Sequence, residues 1–115
     1  MLGALLDDDA KRFVDAYVDS LVSWAIIVFY HENPGARDRA EDLALHLGRR
    51  LDDVSKAAEK LAEKRLLARS VRDSDVVYVY HPDDRLAEEV SKFVQALDDR
   101  ELRLTILSRV LEKVT

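Results

Sequence analysis

Apolar residues recur at helical spacing through most of this chain and at strand spacing in one short stretch. Phe13, Tyr17, Val18, Leu21, Val22 and Ala25 return every three or four residues, with Lys11, Arg12, Asp15 and Asp19 between them. That pattern predicts a helix over residues 8–30. Its end, Trp24-Ala-Ile-Ile-Val-Phe-Tyr30, is continuously apolar and would also suit a buried strand. Nothing interrupts the run before Asn33-Pro34-Gly35, so it reads as the buried end of the same helix, stopped by a turn.

Asp38, with Glu41 three residues later, has the form of a capping box. Leu43, Ala44 and Leu47 then supply the apolar face of a short helix, and Gly48 fits a left-handed C-terminal turn. Val54, Ala57, Ala58 and Leu61 predict a second helix over 52–65. Two short helices joined by a glycine-containing turn make a helix-turn-helix. Residues 66–70 and 76–80 read as strands around a polar turn, with Val76, Tyr78 and Tyr80 on one face and Val77 and Val79 on the other. Pro82 ends the hairpin. Beyond it, Leu86, Val90, Phe93, Val94 and Leu97 form one helical stripe, and Leu104, Leu107, Leu111 and Val114 another. Asp98-Asp99 either caps a new helix or interrupts one long helix.

The predicted fold class is therefore mainly α with a small β-hairpin wing. Residues 1–82 comprise an N-terminal helix and a winged helix-turn-helix. Residues 83–115 form a C-terminal helical segment of the same domain. The 3-4-3 spacing of Leu104, Leu107, Leu111 and Val114 is that of a helix seam, which points to dimerisation helices and a homodimer.

Composition narrows the chemistry. A chain of 115 residues suits one domain. With no cysteine, a disulfide, a thiolate metal site and a cysteine nucleophile are all excluded. The longest uncharged run, residues 20–30, is well short of the ~20 residues that span a bilayer. The N-terminus has no basic lead, so a secretory signal is not expected and the cytoplasm is the expected location. No phosphate-cradling loop or Ser/His/Asp arrangement is present. His31, His46 and His81 are scattered over element ends, and His81 with Asp83 and Asp84 lacks zinc spacing. The expectation is a non-enzyme without metal or cofactor.

The formal net charge is −5, but residues 48–72 hold eight basic and four acidic side chains. That segment is thus +4 and the remainder −9. On a helical wheel Val54, Ala57, Ala58 and Leu61 centre the buried side of 52–65, opposite Asp52, Lys56, Glu59, Lys60 and Glu63. Asp52 and Lys56 are spaced for an i,i+4 pair, and both first-turn aspartates suit the helix dipole.

The segment "EDLALHLGRRLDDVSKAAEKLAEKRLLARS" resembles the winged helix-turn-helix transcriptional regulators of bacteria and archaea, broadly the MarR and ArsR kind. Leu43-Ala44 and Leu47-Gly48 match the first helix and turn. Val54, Ser55, Lys56, Leu61, Glu63, Lys64, Leu66 and Leu67 match the recognition helix and its exit into the wing. The resemblance runs over residues 20–82, more weakly beyond. Three positions depart from it: Arg49 replaces an apolar residue, Asp52 and Asp53 replace small hydroxyl residues, and Arg65 stands where glycine commonly ends the helix.

The resemblance implies a dimeric regulator that binds duplex DNA, with helix 52–65 in the major groove. Ser55, Lys56 and Lys60 would face the groove, and Arg49, Arg50, Arg69 and Arg72 the phosphates. Leu104, Leu107, Leu111 and Val114 would pair the subunits. The alternative is a winged-helix adaptor that binds a protein partner instead of DNA. Trp24, Phe29, Tyr30, Tyr78 and Tyr80 could line an effector pocket, but aromatic residues at such spacing commonly form core.

Overall fold

A computed structural model of the chain describes residues 6–114. Helices α1 (Asp8–Tyr17) and α2 (Leu21–Glu32) precede a short strand β1 (Arg37–Asp38). Helices α3 (Ala40–Leu47) and α4 (Leu51–Glu63) follow, then strands β2 (Leu67–Arg72) and β3 (Asp75–Tyr80). Helices α5 (Asp84–Ala96) and α6 (Arg100–Lys113) close the chain.

The single helix expected over 8–30 is two helices meeting at 108°. The apolar period passes through the break because both helices bury their stripes in one core. Ser20 makes the corner: extended at φ −158°, it accepts from the Ser23 N–H at 3.1 Å and so starts a new helix. The Trp24–Tyr30 run is helical, and Ile26, Ile27 and Tyr30 are fully buried. No single helix among the described residues is long and apolar enough to cross a membrane.

Asp38 does not cap α3. It belongs to β1, where it pairs with Tyr78 while Arg37 pairs with Val79. The cap moves one residue on: Arg39 is the N-cap, and the Asp42 carboxylate accepts from its backbone N–H at 3.1 Å. β1 joins the hairpin in an antiparallel sheet of order β1-β3-β2.

Gly48 ends α3 in the left-handed conformation, φ 63°. Its N–H donates to Leu45 O, and that of Arg49 to Ala44 O, the paired hydrogen bonds of a Schellman turn. The turn leads directly into α4, which buries Val54, Ala57, Ala58 and Leu61. At the hairpin tip Asp73 and Ser74 both have positive φ, 49° and 73°, which matches the right-handed twist of the flanking strands. Asp83 and Asp99 cap α5 and α6 through their carboxylates, so the Asp98-Asp99 pair begins a new helix.

α5 packs Leu86, Val90 and Phe93 beneath α1 and α2, with Phe93 between Phe13 (5.2 Å) and Trp24 (5.9 Å). The Tyr30 hydroxyl donates to Tyr78 O at 2.8 Å and ties α2 to the sheet. α6 is fastened to α1: Arg109 makes two hydrogen bonds to Asp15 (2.8 and 2.7 Å). Lys113 Nζ donates to the carbonyls of Val14, Asp15 and Val18. The arrangement is a winged helix-turn-helix with two C-terminal helices packed against the N-terminal pair.

Candidate nucleic-acid interface

α4 is an amphipathic helix that buries Val54, Ala57, Ala58 and Leu61 in the core, so its opposite face is offered outward. Asp52, Asp53, Lys56, Glu59, Lys60 and Glu63 are exposed on it, and Ser55 is partly buried. The pair expected between Asp52 and Lys56 does not form; neither residue has an ion-pair partner among the described residues. Four residues apart, both side chains extend into water, where such a pair contributes only ~0.3–0.5 kcal/mol. The aspartates have a local reason to be there. The N-cap of α4 is Arg50, whose side chain makes no capping hydrogen bond, leaving the first-turn N–H groups to be offset by nearby negative charge.

The structure separates the cations into two populations. Arg12, Arg39, Lys60, Lys64, Arg85, Lys92, Arg109 and Lys113 each lie within 4 Å of a carboxylate. Among the described residues, Arg37, Arg49, Arg50, Lys56, Arg65, Arg69 and Arg72 have no such partner, and neither do Lys11, Arg100 and Arg103. The seven from Arg37 to Arg72 lie in or beside the helix-turn-helix and the sheet. The predicted cations Arg49, Arg50, Lys56, Arg69 and Arg72 are exposed, and Arg69 also interacts with the Tyr78 hydroxyl.

Lys60 is placed differently from the other predicted cations. It leans toward Asp19 at 3.8 Å, and Asp19 also holds Lys64 (3.3 Å) and Lys113 (3.6 Å). Lys64 further donates to Ala16 O. The C-terminal half of α4 is thereby anchored to the α1–α2 corner, and the free cations concentrate at its start and on the wing. Sequence reasoning missed Arg37, because a two-residue strand has no readable period. It noted Arg65 only as a departure from glycine; Arg65 is exposed with φ 67°, the conformation that glycine would serve.

The five aromatic residues do not line one pocket. Tyr30 and Tyr78 are core residues, and Tyr80 packs against that core. Burial, with a smaller contribution from the Asp38 charge, pushes the Tyr30 phenol far above its usual range. Trp24 and Phe29 instead line an open groove between α2 and α6, with Leu104 and Leu107. Of the predicted seam, Leu104, Leu111 and Val114 are exposed and Leu107 is partly buried. His46 stacks on Phe29 and lies 3.5 Å from Asp38. Among the described residues no group of three acidic or histidine side chains is arranged to hold a metal ion.

No protein-family model matches the chain, and no curated protein matches it by sequence. Its fold is similar to a solved structure described as a possible transcriptional regulator from Methanosarcina mazei Go1. The two share 18% identity and a TM-score of 0.61, over 97% of this chain and 98% of the other. The likeness spans the C-terminal helices as well as the wing, and it establishes the architecture of the whole chain.

Proposed function

We propose that this protein is a dimeric winged-helix transcriptional regulator of the cytoplasm that binds duplex DNA. The N-terminal half of α4 enters the major groove with Ser55 and Lys56 toward the bases. Arg49 and Arg50 before it, and Arg69 and Arg72 on the wing, contact phosphates. Lys60 has a smaller part, since Asp19 already engages it. The carrying observation is that seven of the ten cations without a carboxylate partner among the described residues fall between residues 37 and 72, in or beside the helix-turn-helix and the sheet. A phosphate can engage such a cation without first displacing an internal partner. The fold shared with a possible transcriptional regulator supports the same reading.

Asp52 and Asp53 set the character of the complex. Two carboxylates near a phosphate wall are repulsive, so affinity rests on the flanking arginines and falls steeply with salt. An aspartate that meets a cytosine accepts from its N4 amino group and adds base preference there. Replacing Arg49, Arg50 and Lys56 together by alanine is expected to abolish duplex binding while the circular dichroism spectrum is unchanged. Equal binding by wild type and variant would reject the assignment.

A second reading, a protein-binding adaptor, is favoured by a separate observation. Leu45 (82% exposed) on α3, Leu51 (44%) at the start of α4 and Val71 (67%) on the wing are large apolar groups left in solvent. A protein partner rewards their burial more than a phosphate backbone does. Replacing Leu45 and Leu51 by serine separates the two readings: it should leave duplex affinity within twofold if DNA is the partner.

A further inference from the structure

α2 is apolar around its whole circumference, a pattern stable in water only when every side is covered. One side is buried in the core. On the other, Leu21, Trp24 and Val28 form with Leu104 and Leu107 of α6 an open groove of about 540 Å³. The apolar row of α6 continues beyond the groove with Leu111 and Val114, 40% and 60% exposed. Its opposite side is held to α1 by the Arg109 and Lys113 hydrogen bonds, so a fastened helix presents the row.

The spacing of that row reads the same in both directions. Position 104 lies five residues before 109 and 114 five after it; 107 and 111 lie two before and two after. Two α6 helices laid antiparallel about a two-fold axis at residue 109 therefore set Leu104 against Val114 and Leu107 against Leu111, twice over. Because Leu104 and Leu107 form one wall of the groove, the side chains arriving opposite them enter it.

We propose that the groove is filled by a second copy of this chain: Leu111 and Val114 of each protomer seat against Trp24 and Val28 of the other. This rests on the dimeric reading above and specifies its interface. A small apolar ligand would fill the groove yet leave Leu111 and Val114 in water, whereas a second copy covers both. Charge agrees, because Glu32 and Arg103 share the rim, and a two-fold mate brings both signs to face both signs. Arg49 places the edge of this interface beside the turn that leads into α4.

Trp24 is the sole tryptophan, so its emission reports the groove directly. Sedimentation and tryptophan emission should be followed together through a micromolar dilution series, for wild type and for Leu111→Glu/Val114→Glu. The expected wild type sediments at twice the chain's mass with blue-shifted emission that moves red on dilution. The variant, altered at two exposed positions, is expected to remain folded, sediment as a monomer and emit red throughout. A monomeric wild type at all concentrations overturns the dimeric reading and this inference together. A wild-type dimer with Trp24 as solvent-accessible as in its monomer overturns the groove assignment alone, as does a variant that still dimerises with shielded Trp24. The wild-type measurements suffice even if the variant misfolds.

Discussion

Arg65 holds a left-handed backbone conformation that costs a side chain with a Cβ roughly 1–2 kcal/mol. The glycine common there in the resembling regulators is thus explained by conformation. Arg65→Gly is expected to raise stability by up to about 1 kcal/mol, read as a higher urea midpoint. Asp52 and Asp53 pose the opposite trade. Changing both to asparagine should cost roughly 0.3–1 kcal/mol for each lost helix-dipole interaction. Duplex affinity should rise several-fold as repulsion from phosphate falls; unchanged affinity would mean these residues lie away from the nucleic acid. These positions were legible in the sequence because capping and turn chemistry depend on near neighbours.

At the scale of elements, the long helices and the hairpin declared themselves by period, while two features did not. β1 is two residues long and exists by pairing with β3, a partner some forty residues away. The corner at Ser20 was hidden because the stripe continues in phase through it; a serine hydroxyl facing an N–H three residues on was the available signal. Tertiary fastening was equally invisible. Lys113 satisfies three carbonyls at the end of α1, although ninety-five or more residues separate them in the chain. Lys113→Met should therefore cost on the order of 1–2 kcal/mol and loosen α6 first, seen as faster amide exchange there than in α4.

Tyr30 ties α2 to the sheet in the same way, and its loss has a pH signature. Burial raises the Tyr30 phenol above its unfolded value, and Tyr17, Tyr78 and Tyr80 shift in the same direction. A raised phenol keeps its proton in the folded state, so this contribution is complete below about pH 10 and declines as pH rises above it. Tyr30→Phe should lower stability by about 1 kcal/mol at neutral pH and make the alkaline decline shallower. Denaturation midpoints at pH 7 and above pH 10 check both.

For the whole molecule, a net charge of −5 would by itself count against nucleic-acid binding. The distribution of ion-pair partners supports the DNA-binding reading proposed above. Acidic residues neutralise the cations of α5, the C-terminal half of α4 and the seam between α1 and α6. Arg39 is likewise engaged by Asp42, whereas Arg49, Arg50, Lys56, Arg69 and Arg72 have no carboxylate partner among the described residues. The sequence locates a basic segment between 48 and 72, but it cannot say which cations are already spent internally, because Asp19 lies forty-one residues from Lys60. The fold was therefore more legible than the site: periodicity reports burial, whereas charge availability depends on contacts between distant segments.

The most direct test of the account is binding of a fluorescently labelled duplex, followed by anisotropy at several salt concentrations, for wild type and the Arg49/Arg50/Lys56 alanine variant. Wild type should bind at low ionic strength with log K falling against log salt at a slope on the order of −7, as expected for about eight phosphate contacts, four from each protomer. The variant should lose most of that binding and about half of that slope, because Arg69 and Arg72 remain. A folded wild type with no salt-sensitive binding to duplex at low ionic strength would contradict the DNA-binding assignment.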